Sequence, residues 1–269
     1  MYFYIYDAFL NHKKYDRFLA DIETRAIEIG ISGKINRLSM LTNIKDMIEH
    51  GVRHGAKTIV IVGNDLTFSQ AANVLAHFPQ IVLGFIPVGD PSENILADIL
   101  SLPLHIAACD VLSARIIKKF PLGKINDRFF LLWVEIFGDE IKFHCDDKYD
   151  ILLLDPNQTI KIYNIPSWII QKRTQENLLS TRMLELTIEE MPKFFRAFKQ
   201  KNKIRSTLWN KKISITSKNR VAIVVDDYDT INTPAELLIS GEMISVIVGK
   251  GSLLLDETES TVAKSKKSL

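Results

Sequence analysis

The sequence is poor in cysteine, in long apolar runs and in charge of a single sign. Two cysteines, Cys109 and Cys145, among 269 residues exclude a disulfide framework and fit a reducing cytosol. No apolar run approaches the roughly 18 residues that a helical membrane span needs. Residues Met1–Asp7 lack a positive n-region followed by a long apolar stretch, so no signal peptide is expected. A formal charge of +2 excludes bulk electrostatic binding of polyanions, and no nucleic-acid partner is expected. No internal repeat is found, and no nucleophile-His-acid set suggests itself. These absences leave a cytoplasmic protein, with peripheral contact to a membrane as an open alternative. A hydrophobic fraction of 46% in a chain of this length allows two cores.

What is present centres on residues 57–98. Ile59-Val60-Ile61-Val62 is an apolar, β-branched run that stops at Gly63-Asn64-Asp65, the pattern of a buried strand entering a tight turn. A helix follows, with Phe68, Ala71, Ala72, Leu75 and Phe78 on one face, and then a second apolar strand, Ile81–Val88. Upstream, residues 2–6 read as a strand ending at Asp7. Amphipathic helices over 11–29 and 43–53 flank a short strand near 35–38. The β-α alternation continues to about residue 120 and predicts a doubly wound, mostly parallel sheet, whose ligands bind at the carboxyl ends of the strands.

Beyond Pro121-Leu122-Gly123 the pattern changes to short strands at 129–137, 140–145, 149–154 and 159–165, separated by Gly, Asp, Asn and Pro. A helix is expected at Pro192–Lys199. Further strands are expected at 212–216, 221–225, 235–239 and 243–248. The predicted organisation is an α/β nucleotide-binding domain over 1–122, an antiparallel β-sandwich domain over 123–255, and a disordered tail over 256–269.

Four segments resemble the diacylglycerol kinase catalytic-domain family, which includes sphingosine kinases and shares its fold with the NAD kinases. Gly63-Asn64-Asp65-Leu66-Thr67 resembles the family's Gly-Gly-Asp-Gly-Thr loop. Pro87-Val88-Gly89-Asp90-Pro91-Ser92-Glu93 stands where the family has Pro-Leu-Gly-Thr-Gly-Asn-Asp. Leu122–Asn126 with Arg128–Leu131 is similar to the lead into the family's second domain. Val225-Asp226-Asp227-Tyr228-Asp229 stands where a family strand ends in Asp-Gly-Glu. Order and spacing agree over residues 1–250, although no single motif is intact.

The resemblance implies transfer of the γ-phosphoryl group of ATP, with Mg²⁺, to a lipid hydroxyl. The partners it implies are a nucleotide and a lipid at a membrane surface, with a homo-oligomer left open. Gly63, Asn64, Asp65, Thr67, Gly89 and Glu93 would bind the nucleotide, and Asp65 and Asp227 the metal. Asp227 and Asp229 would be catalytic, Asp227 as the base, and Asp226 is an alternative register for it. The alternative function is a catalytically inactive relative, a pseudoenzyme that binds nucleotide, lipid or protein. It is motivated by the family glycines replaced at Asn64, Leu66 and Pro91. An NAD kinase is a third reading. If the loop kept left-handed family glycine geometry, Leu66 would cost on the order of 1–3 kcal/mol.

Several of these residues also have plain structural readings. Thr67 with Gln70 would make a capping box, and Asp90-Pro91-Ser92-Glu93 an N-cap, a proline at N1 and a glutamate at N3. Asp227 and Asp229 suit a turn. The basic run Lys193–Arg220, interleaved with Phe194, Phe195, Phe198 and Trp209, reads either as an anionic-lipid surface or as a helix packed on the sandwich with solvated lysines. His144-Cys145-Asp146-Asp147 holds metal-ligand types, but neighbours on a strand point to opposite faces.

Overall fold

The computed structural model describes residues 1–153, 158–170, 183–190, 205–252 and 254–256. The chain divides into two compact units. Among the described residues, one holds 1–120 and 242–256, and the other 121–170 and 183–241.

In the first unit, strands β1 (Tyr2–Tyr6), β2 (Gly33–Arg37), β3 (Thr58–Gly63) and β4 (Val82–Pro87) pair in parallel in the order β2-β1-β3-β4. Helices α1 (Asp16–Glu28), α2 (Ile44–Arg53), α3 (Asp65–Leu75), α4 (Ile95–Ile99) and α5 (Ala108–Ala114) connect and follow them. The central strand β3 is buried along its whole length, which is why its sequence is continuously apolar rather than alternating. In β1 the alternation sorts the two faces. Tyr4 and Tyr6 pack with Leu19 and Ile22 of α1 and Cys109 and Leu112 of α5. On the other face, Phe3 meets His50 of α2 at 6.3 Å between ring centres. Phe68 of α3 lies 4.8 Å from Phe85 of β4. Helices therefore cover both faces, as in a doubly wound sheet.

The second unit is antiparallel. One sheet has the order β12-β11-β10-β7-β14-β15, formed by β7 (Trp133–Ile136), β10 (Gln158–Tyr163), β11 (Leu184–Glu190), β12 (Arg205–Asn210), β14 (Ala222–Val225) and β15 (Asp229–Asn232). Facing strands include β8 (Ile141–Cys145), β9 (Tyr149–Leu153) and β13 (Lys212–Ser217). Val134, Ile136, Ile162 and Ile223 from one side share a core with Phe143, Ile213, Ile215 and Leu237 from the other. Along β8, Ile141, Phe143 and Cys145 point inward and Lys142 outward, the two-residue period of a half-buried strand.

The α/β unit followed by an antiparallel sandwich agrees with the sequence expectation, with differences in detail. The last helix of the alternation stops short of residue 120, because α5 ends at Ala114 and Ile117–Ile125 forms strand β5. Two expected strands at 235–239 and 243–248 are one strand, β16 (Ala235–Ile247), which runs through Gly241 without a break. Ser245 of β16 pairs in parallel with Val82 of β4, so the chain from Glu242 onward returns to the first unit rather than ending the sandwich. Strands β11 and β12 were not anticipated. The helix expected at Pro192–Lys199 lies outside the described residues, as does the tail beyond Asp256.

Candidate functional site

The order β2-β1-β3-β4 reverses direction between β1 and β3, and a doubly wound sheet opens its crevice at the carboxyl ends of those two strands. Asp7 follows β1 there, and Gly63 and Asn64 follow β3. The Asp7 carboxylate accepts the Phe9 N–H at 3.1 Å and the Thr67 hydroxyl through its other oxygen. A Cβ on Gly63 would stand 2.9 Å from the Asp7 Cβ and 3.2 Å from its Oδ2. Glycine is needed here because Asp7 fills the space a side chain would take.

The loop does not use left-handed backbone. Asn64 is extended, at φ −116° and ψ −176°, and caps α3 by accepting the Thr67 N–H at 3.4 Å. The cap is therefore Asn64 and not the Thr67–Gln70 box that the sequence suggested. Leu66 lies in the first turn of α3, 40% exposed, so the strain expected of it is absent. Asp65 opens α3, where a carboxylate suits the helix dipole. Its oxygens take the Leu96 N–H at 3.1 and 3.2 Å, which ties α3 to the start of α4.

The β4 loop closes beside this one, with the Val88 N–H donating to the Gly63 carbonyl at 2.7 Å. Gly89 has φ +112°, a conformation that favours glycine, and a Cβ there would meet Glu93 Oε2 at 3.1 Å. Asp90 caps the Pro91–Glu93 turn through the Ser92 N–H and hydroxyl, at 2.8 and 2.7 Å. Those two donors hold its carboxyl below the usual range. Asn94, which sequence reading passed over, is buried and gives its amide to the Val88 and Asp90 carbonyls at 3.2 and 2.9 Å. Its Oδ1 is buried without a partner. A polar residue just past a cap motif was the available signal. Gly63, Asn64, Asp65, Thr67, Gly89 and Glu93 thus all lie on the two adjoining loops of this unit.

The remaining candidates belong to the second unit, in the turn that joins β14 to β15. Asp226 and Asp227 have φ 43° and 59°, and the Tyr228 N–H returns to the Val225 carbonyl at 3.1 Å. This tight turn needs two left-handed residues, and Asp tolerates that conformation. Asp226 is buried, its carboxylate accepting the N–H groups of Leu131, Leu132 and Trp133 at 2.7, 2.9 and 3.1 Å. Burial pushes this carboxyl up to about 6 against the pull of those three donors. Asp227 is exposed at the turn. Asp229 receives an ion pair from Arg128 and the Thr230 N–H at 2.8 Å. The two registers left open in the sequence therefore have different surroundings, Asp226 fully engaged with backbone and Asp227 open to solvent.

Among the described residues no three His, Cys, Asp or Glu side chains gather as a metal-ligand set. No helix among them is long and apolar enough to cross a membrane. Of the basic run, residues 193–204 lie outside the described part. Beyond them, Lys212 pairs with Glu236 at 3.1 Å and Lys218 with Glu140 at 3.8 Å.

The architecture is that of the two-domain fold shared by diacylglycerol kinases and NAD kinases. It is similar over 93% of this chain and 97% of the other to a diacylglycerol kinase from Bacillus anthracis str. Sterne, with a TM-score of 0.69 at 16% identity. A second protein of that strain, provisionally assigned as a diacylglycerol kinase, matches with a TM-score of 0.69 at 14% identity over 92% of this chain and 97% of its own. No curated protein matches the sequence. Residues 2–125 match the model of the diacylglycerol kinase catalytic domain, a likeness that bears out the resemblance.

Proposed function

We propose that the protein is a lipid kinase-like phosphotransferase that moves the γ-phosphoryl group of ATP to a lipid hydroxyl. The carrying observation is the Gly63–Thr67 strand-turn-helix at the switch point of the sheet, inside the segment that matches the family. The start of an 11-residue helix presents backbone donors and the positive end of its dipole to a phosphate. Asp65 would supply an oxygen ligand, the type Mg²⁺ takes, one or two carboxylates sufficing when phosphates complete the shell. When bound, the ion would neutralise charge on the transferred group. In this reading Gly89 and Glu93 line the nucleotide side, and Asp227 is the candidate base, with Asp229 held by Arg128 beside it in the turn.

A second reading, a non-catalytic relative that binds nucleotide, lipid or protein, is favoured by one observation. The Asp7 carboxylate already stands against Gly63 and bonds Thr67, so it competes with a phosphate for the first turn of α3. Transfer of labelled phosphate from ATP to diacylglycerol in mixed micelles separates the two. The kinase reading predicts Mg²⁺-dependent product that Asp227→Asn reduces at least a hundredfold with the fold intact. No product from wild-type protein that binds ATP would leave the non-catalytic reading.

A further inference from the structure

Leu38 follows β2 and donates its N–H to the Tyr6 carbonyl at 2.8 Å, so the loop Ser39–Asn43 lies at the same sheet end as Asp7 and Gly63. Its two central residues, Met40 and Leu41, are 103% and 96% exposed, more than any other large apolar side chain described. The turn beneath them is tied by several short-range bonds. Ser39 N–H donates to Thr42 Oγ1 at 2.7 Å, Leu41 N–H to Ser39 Oγ at 3.3 Å, and Thr42 N–H to the Ser39 carbonyl at 3.2 Å. The turn thus fixes the backbone while both apolar side chains stand in solvent.

The neighbouring rim is cationic. Asn11 Nδ2 donates to the Leu38 carbonyl at 2.8 Å, which brings residues 11–14 alongside. Segments 11–14 and 37–45 together carry Lys13, Lys14, Arg37 and Lys45, and no Asp or Glu. Arg37 pairs with Glu23 at 3.9 Å and Lys45 with Glu49 at 4.0 Å, while both cations keep exposed side chains.

We propose that the Met40-Leu41 loop is a docking tip that inserts into the interface of a bilayer containing anionic phospholipid, with Lys13, Lys14, Arg37 and Lys45 against the head groups. Two apolar side chains among four cations match such a surface. A two-residue projecting tip is far short of the roughly 800 Å² per partner that a stable protein interface buries. Docking there would turn the carboxyl end of the sheet toward the lipid, which rests on the reading that the acceptor is a lipid.

The test is sedimentation with vesicles of phosphatidylcholine alone or with phosphatidylglycerol, without nucleotide, for wild-type protein and the double variant Met40→Ser, Leu41→Ser. The expected result is binding to the anionic vesicles, weakened by salt, that the double variant lowers at least tenfold with an unchanged circular dichroism spectrum. A substitution at this exposed tip leaves the core intact. Equal binding by the variant, or no binding by wild type, overturns the proposal. So does a wild-type dimer that the variant converts to monomer. Because nucleotide is absent, a failed docking result is independent of a failed kinase result.

Discussion

Asp226 should be worth more to stability than any other carboxylate in the β14–β15 turn. Its carboxylate accepts three successive backbone N–H groups, those of Leu131, Leu132 and Trp133, in a buried setting. A buried N–H left unpaired costs about 1–3 kcal/mol. Three of them, eased in part by water entering the space of the lost side chain, give about 3–5 kcal/mol for Asp226→Ala. Asp226→Asn keeps one oxygen for Leu132 and Trp133 but turns an amide donor toward the Leu131 N–H, so it should cost about 1–3 kcal/mol. Asp227→Gly at the exposed neighbour, where φ is positive, should be within about 0.5 kcal/mol of wild type or slightly stabilising. Urea unfolding followed by circular dichroism measures all three.

The same group sets a pH dependence. The folded carboxyl is pushed up to about 6 by burial, from 3.8, so the folded protein holds its proton more tightly than the unfolded chain. The Asp226 contribution is therefore full below about pH 4 and falls as pH rises through about 6, by about 3 kcal/mol for two pH units at 1.36 kcal/mol each. Asp226→Ala should flatten that slope. An Asp226→Ala variant as stable as wild type, or one with the same slope between pH 4 and 6, would refute the reasoning.

Two further substitutions follow from the loop at Gly63. Leu66→Gly should destabilise by about 1 kcal/mol in thermal or urea unfolding, because Leu66 occupies an ordinary helical turn. A stabilising effect would mean that the loop stores the left-handed strain first read from its sequence. Asn64→Ala removes the α3 cap and should cost about 1 kcal/mol, whereas Gln70→Ala should be nearly neutral, an order that a Thr67–Gln70 box would reverse. Asp7→Asn removes a charge from the first turn of α3 and should tighten Mg²⁺-free ADP binding severalfold by calorimetry. Weaker binding would place Asp7 among the ligand's own partners.

The α/β unit was legible because its signals were local. The continuous apolar run of β3 and the stripes of α1 and α2 each fix an element without knowledge of its neighbours. The Asp90-Pro91 cap was readable for the same reason. What escaped depended on partners far along the chain. Nothing in Met243–Ile247 says that Ser245 will lie beside Val82 rather than in the sandwich. Gly63 reads as a phosphate-loop glycine until Asp7, 56 positions away in sequence, is seen against it. Asp226 and Asp227 are identical in type and adjacent, and only the Leu131–Trp133 backbone separates a buried anchor from an exposed carboxylate.

The central claim is that the crevice between β1 and β3 receives a nucleotide, and calorimetry with ATP, with and without Mg²⁺, tests it most directly. Wild-type protein should bind saturably and more tightly with Mg²⁺. Asp65→Asn, which keeps an acceptor for the Leu96 N–H, should lose most of the Mg²⁺ dependence while costing no more than about 1 kcal/mol of stability. No heat at millimolar ATP under either condition, or equal binding by the variant, would contradict it.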